Sequence, residues 1–202
     1  PDYWLGLLDA AEYPPPPQPR IDVVLLVRAD DSVVAGVTIE YYRTAGAGLL
    51  TYISVAPALR GRGIGRLLIA AARQVLDAMG SPQALMFAET ERLEDAHDPG
   101  EAAATRLRQR QLAGLGARWV RFDYVMPPLR PDSAPHRLHL MLFDPDRSVS
   151  AVATRAVAAL IRELAAALRA DLAADPETAA MMDWLAGADD LPVVALPAGA
   201  SE

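Results

Sequence analysis

Seven residues, Arg60-Gly61-Arg62-Gly63-Ile64-Gly65-Arg66, gather glycine where chemistry can use it. Gly61, Gly63 and Gly65 remove side chains at alternate positions, so backbone amides can face outward and approach a ligand closely. The loop follows an apolar stretch ending at Val55. It precedes a run in which Leu67, Leu68, Ala71, Ala72, Val75 and Met79 repeat at helical spacing. Unpaired amides at a helix start, reinforced by the helix dipole, suit a phosphate or pyrophosphate. A P-loop would need Lys after its last glycine, and the chain has no Lys. A dinucleotide fingerprint would need glycine where Arg66 stands. An ordinary strand–turn–helix connection is the bland alternative.

With Val55-Ala56-Pro57 before it, Arg60-Gly61-Arg62-Gly63-Ile64-Gly65 resembles the acyl-CoA-binding motif of the GNAT N-acyltransferase superfamily. The resemblance is specific at the motif and looser over residues 21–144. It implies an α+β fold, a mixed and mostly antiparallel sheet flanked by helices. It also implies acetyl-CoA or another acyl-CoA as co-substrate, with no metal. By position, Arg60, Gly61, Arg62, Gly63, Ile64 and Gly65 hold the pyrophosphate, with Arg66 at the helix start. In that fold the strand ending at Val55 and the strand over residues 83–90 lie parallel and splay apart. The pantetheine arm then pairs with backbone at Ile53, Ser54 and Val55.

The implied reaction is direct attack of a primary amine on a thioester. A neutral-pH amine is mostly protonated, so a carboxylate is a sensible base. Glu89 and Glu91 stand at a strand end, on one face by alternation if the strand persists. Solvated carboxylates are the competing reading. A backbone amide near Val55 or Ala56 is the natural oxyanion donor. Many family members carry a leaving-group acid, a Tyr four residues before the Gly of Tyr-x-x-x-Gly-Phe, and here Leu112 occupies that place. Tyr124 on the following strand is the substitute, or simply a half-buried strand Tyr. His97 titrates in a useful range but stands alone in a loop. Glu89, Glu91, Glu94, Asp95, Asp98 and Glu101, offset only by Arg92, either select a cationic small-molecule or peptide amine or form a solvated face.

The 202 residues suit one domain with an appendage, and 52% apolar content is ample for a core. Cys is absent, which excludes disulfides, thiolate metal sites and a cysteine nucleophile. Three scattered histidines argue against zinc. A net charge of −7 argues against nucleic acid. No run approaches a membrane span and no signal peptide is recognisable, so the expectation is a cytoplasmic protein. The all-Arg, Ala-rich composition reads as codon bias of a GC-rich genome.

The elements that must position these groups can be outlined in order. Residues 1–11 suit a short helix and 13–19 a stiff proline-rich connector, together an opening segment over 1–20. The family's usual opening strand and helix are not recognisable, so a truncated or missing opening is expected. Strands over 21–29, 33–42 and 49–55 form a meander, followed by a helix over 63–79 capped by Gly80. Then come a strand over 83–90, a helix over 101–115, one strand over 118–126 and another over 136–143. These close an acyltransferase domain over 21–147. From residue 148 a helical extension to residue 202 is expected. Val152, Ala156, Leu160, Leu164 and Leu168 lie on one helical face, a second helix follows Pro176, and 191–196 form a strand or tail. The extension is a flap on the domain or a homodimer contact. An acyl-CoA N-acyltransferase is the favoured function. A CoA-binding sensor with little turnover, or one domain of a larger enzyme, are the alternatives.

Overall fold

The structure, a computed structural model, describes residues 17–79, 84–130 and 133–196. The short helix expected over 1–11, most of the proline-rich connector and the Gly80 cap lie outside the described residues. Among the described residues, nine strands and four α-helices make an α+β fold, and the chain divides after Met86 into two compact units.

The first unit is a meander covered by a helix. Strands β1 (Arg20–Val27), β2 (Val33–Tyr42) and β3 (Ala47–Val55) pair antiparallel in sequence order. Val34 of β2 and Thr51 of β3 are extra residues in their ladders, each opposite no partner. Such bulges sharpen twist and re-aim the strand beyond them. Helix α1 (Ile64–Met79) buries Leu68, Ile69, Ala72 and Leu76. Gly48 of β3 makes the fit close, because a Cβ there would sit 2.7 Å from a Leu76 methyl. Ala35, Val37 and Ile39 of β2 complete this core, each at most 4% exposed.

The second unit is built on a central strand. β4 (Leu85–Glu91) pairs with one edge of β7 (His136–Phe143). β5 (Ala117–Val120) and β6 (Tyr124–Met126) share the other edge. The single strand expected over 118–126 is therefore two, interrupted at residues 121–123. There the Arg121 amide donates to the Pro192 carbonyl at 2.9 Å. Helix α2 (Pro99–Gly114) starts at Asp98, whose side chain accepts the Glu101 amide.

The segment from residue 148, expected as two helices with a strand or tail over 191–196, contributes two strands. β8 (Ala151–Ala153) precedes helix α3 (Thr154–Leu168), so Val152 is a strand residue. Helix α4 (Pro176–Gly187) begins with Pro176 at its first position, and the Asp175 side chain accepts the amides of Glu177 and Thr178. β9 (Asp190–Val194) lies between β8 and β5, so this segment joins the sheet. Arg118 fastens it, donating to Asp144 at 2.8 Å, the Val149 carbonyl at 2.7 Å and the Val193 carbonyl at 2.6 Å. Every pairing within either unit is antiparallel.

Candidate active site

In the first unit, β3 ends at Val55 and a 3-10 turn over Pro57–Leu59 lifts the chain into the glycine loop. Gly61 and Gly63 take φ of +75° and +79°, the left-handed region that only glycine enters cheaply. A Cβ at either would meet no protein atom within 4 Å, so the loop surface is open on that side. Its internal bonds use the amides of Leu59, Arg60, Arg66 and Leu67. Among the described residues, the amides of Gly61, Arg62, Gly63, Ile64 and Gly65 have no backbone acceptor. The first turn of α1 carries no acidic residue, and Arg62 and Arg66 are exposed. These are the donors, the clearance and the charge that a pyrophosphate requires, so the residues present fit that part of coenzyme A.

Two of the expected groups are engaged within the protein. The Arg60 side chain turns back, its Nε donating to the Val55 carbonyl at 3.1 Å, so it fastens the strand end. The Ala56 amide donates to the Val34 carbonyl at 2.8 Å, so it is spent and not available as an oxyanion donor. Ile53, Ser54 and Val55 pair with Val37, Gly36 and Ala35 along β2.

In the second unit, β4 and β6 lie on opposite edges of β7, and Tyr124 and Glu89 meet across it. Tyr124, opposite Leu138, donates its hydroxyl to Glu89 Oε1 in a short hydrogen bond. The Tyr124 ring is 1% exposed and packs beside Phe122 with ring centres 5.8 Å apart. Burial, then the charge of Glu89 and the bond to it, push the phenol well above its ordinary value of 10.0. Tyr124 therefore stays protonated at neutral pH and holds a half-buried carboxylate in place.

Glu91 stands apart from this pair. It is exposed and ion-paired with Arg108 of α2, while its carbonyl accepts from Gln109 at 2.8 Å. Much of the acidic cluster is likewise engaged locally. Glu94 and Asp95 face Arg92, Asp98 caps α2, and Glu101 accepts the His97 amide at 2.8 Å. The sequence reading missed what adjoins them. Glu91, Glu94, Asp95, Glu101 and Glu177 line an open cleft of about 620 Å³ together with Arg92, Arg137 and His136. Glu177 comes from α4 and pairs with Arg137, a juxtaposition across forty residues that no local pattern announces. His97 lines the same cleft, and Leu112 is a buried core residue of α2. Among the described residues, no group of three His, Asp or Glu is placed to hold a metal ion. Nor, among them, is any helix long and apolar enough to cross a membrane.

Comparison with solved structures finds nourseothricin acetyltransferase at 15% identity and TM-score 0.41, covering 61% of this chain and 66% of that one. An acetyltransferase of the GNAT family from Staphylococcus aureus Mu50 aligns at 13% identity and TM-score 0.41, covering 61% of this chain and 68% of that one. Escherichia coli ElaA aligns at 14% identity and TM-score 0.41, covering 68% and 74%. The chain thus spans about two thirds of the first of these structures, 66% of its length. No curated protein sequence matches. The family match falls on the segment that carries the meander, the glycine cradle and β4: residues 9–98 match the model of the acetyltransferase (GNAT) family.

Proposed function

We propose that the protein is an acyl-CoA-dependent N-acyltransferase acting on a primary amine by direct attack. The observation that carries this reading is the glycine cradle, five amides without backbone acceptors at the start of α1. Gly61 to Gly65 hold the pyrophosphate, Arg62 and Arg66 add positive charge, and the Ile53–Val55 backbone pairs with the pantetheine arm. The bound thioester supplies an activated carbonyl. Glu89 takes the proton that the attacking nitrogen loses as its bond to the acyl carbon forms and the carbon–sulfur bond breaks. Tyr124 is the positioning residue, since its hydroxyl fixes Glu89. As an acid it would be poorly matched, because a phenol held above 10.0 gives up a proton reluctantly to a thiolate of ordinary pKa about 8.5. Acetyl-CoA is the default donor. The acidic cleft favours a cationic acceptor, small molecule or peptide.

The test is thiol release from acetyl-CoA across a panel of amines, comparing the wild type with Glu89→Gln. Amine-dependent release that falls about a hundredfold or more in the variant supports the reading. A second reading, a CoA-binding sensor, draws on Leu112, which places a buried aliphatic side chain where the family's acid Tyr stands. Tight acetyl-CoA binding with no release from any amine would favour it.

A further inference from the structure

The open cleft carries more negative charge than its arginines answer. Glu91, Glu94, Asp95, Glu101 and Glu177 line it, and Asp123 faces Arg92 at 3.7 Å. Arg108 pairs with Glu91, Arg137 with Glu177, and Arg92 with Glu94, Asp95 and Asp123. Glu101 is the lining carboxylate with no arginine among the described residues. Its Oε2 accepts the His97 amide at 2.8 Å, and its Oε1 accepts no bond among them. Asp98 caps α2, so the positive end of the helix dipole is already met and Glu101 is left for a ligand. A second observation points to the same spot. Thr105 stands four residues after Glu101 on the same face of α2, and it lines the cleft although it is 3% exposed. Its hydroxyl makes no hydrogen bond among the described residues. Unlike the Thr90 and Thr154 hydroxyls, it is not sealed from solvent, so it opens on the cleft. Buried polar groups are ordinarily partnered, and here a bound molecule can supply the partner.

We propose that Glu101 and Thr105 hold the far ammonium of a linear diamine whose near nitrogen is acylated, an inference that rests on the transferase reading above. Distance selects a diamine over a simple amine. Leu138 of β7 lines the cleft and is the ladder partner of both Glu91 and Tyr124. The cleft therefore begins beside the Tyr124–Glu89 pair. Glu91 lies two residues beyond Glu89, about 7 Å along β4. A far ammonium past Glu91 needs a chain of about five carbons or more, since bonds of about 1.5 Å advance less than their length in a zigzag. Leu138, Pro135 and Ala96 give that chain an apolar wall between its charged ends. The near nitrogen attacks as the neutral amine. It gives its proton to Glu89 as the carbon–nitrogen bond forms, and coenzyme A leaves as the thiolate. The far nitrogen keeps its proton throughout and faces Glu101.

The experiment is calorimetric titration of the 202-residue chain with 1,5-diaminopentane, 1-aminopentane and 1,2-diaminoethane, beside thiol release from acetyl-CoA with each. The five-carbon diamine should bind about tenfold or more tightly than either of the others, and salt should narrow the gap. Glu101→Gln keeps a side chain that can accept the His97 amide, and it should lose about tenfold in affinity for that diamine. Asp183→Asn removes the same charge from an exposed α4 residue outside the cleft and should bind as the wild type does. Thr105→Val should weaken the diamine about tenfold without lowering Tm, because its hydroxyl holds nothing in the free protein. Equal affinity for the three amines overturns the proposal. So do equal losses in Glu101→Gln and Asp183→Asn, or a Thr105→Val that loses stability and affinity together. Thiol release driven by other amines, with no binding of the diamine, overturns it while the transferase reading stands. Diamine binding in the expected pattern, with no release from any amine, keeps the Glu101–Thr105 site and overturns the transferase reading instead.

Discussion

Replacing Gly63 with Asp tests the cradle against a matched control. Gly63 has φ +79° and Gly46 has φ +63°, and a Cβ at either meets nothing within 4 Å. An L-residue at either position therefore carries the same left-handed backbone penalty, about 1–2 kcal/mol, without a steric clash. The two sites differ in place. Gly46 precedes β3 and Gly63 follows it, and the nine residues of β3 span roughly 30 Å. A carboxylate about 4 Å from a phosphate oxygen costs about 4 kcal/mol at the effective dielectric of a protein surface, and about 1 kcal/mol if water screens it fully. Affinity for acetyl-CoA should therefore fall between about fivefold and several hundredfold in Gly63→Asp. Gly46→Asp should bind as the wild type does while losing similar stability. Calorimetric titration measures both, and raising the salt should narrow the gap, because the penalty is electrostatic. If Gly63→Asp binds acetyl-CoA within twofold of the wild type, the loop amides do not hold phosphate. Equal loss in both variants would mean that backbone strain, not the cradle, governs binding.

Three further outcomes follow from the site and the core. Tyr124→Phe keeps the ring against Phe122 but removes the donor to Glu89; kcat should fall about tenfold or more, and the acidic limb of the rate–pH profile should move upward. An unchanged limb would remove Tyr124 from its positioning role. For Asp144, burial pushes the carboxyl up, but bonds from the Val149 amide, Arg118 and Ser148 outweigh it and hold it low. Its stabilisation is present above the unfolded carboxylate range and is lost as pH falls through the native value. Asp144→Asn should therefore cost about 2 kcal/mol at neutral pH, and the difference from wild type should close below about pH 4 in denaturant titrations. Glu40 is the opposite case. It is 6% exposed, and its burial raises the carboxyl despite the Tyr42 hydroxyl that donates to it at 2.6 Å. The wild type then loses stability as pH rises above the unfolded range, so Glu40→Gln should gain relative to it between pH 4 and pH 7, by about 2–4 °C in Tm for each kcal/mol. A constant difference across that range would refute the buried-charge account.

Much of this protein was legible in its sequence because the informative signals are local. Alternating and β-branched runs marked β2 over residues 33–42 and β7 over 136–143, and the structure gives those bounds to the residue. Helical spacing after the glycine loop marked α1, because a helix that covers a sheet must present its apolar side chains every three or four residues. The loop itself was readable because glycine at alternate positions has few other uses, and the left-handed Gly61 and Gly63 show that use.

What the tertiary structure alone decided are the pairings between distant residues. Tyr124 and Glu89 are 35 positions apart and meet only because β4 and β6 take opposite edges of β7. Arg60 and Ala56 looked available for ligand or transition state, yet Arg60 gives its Nε to the Val55 carbonyl and Ala56 gives its amide to the Val34 carbonyl. The C-terminal segment read as a helical appendage because α3 and α4 have strong periodic patterns. Of its short strands, β8 carries little pattern of its own, and 191–196 suited a strand or a tail equally. β9 is a strand because β5 and β8 offer it two ladders to complete, and that incentive exists only once the chain has folded around it.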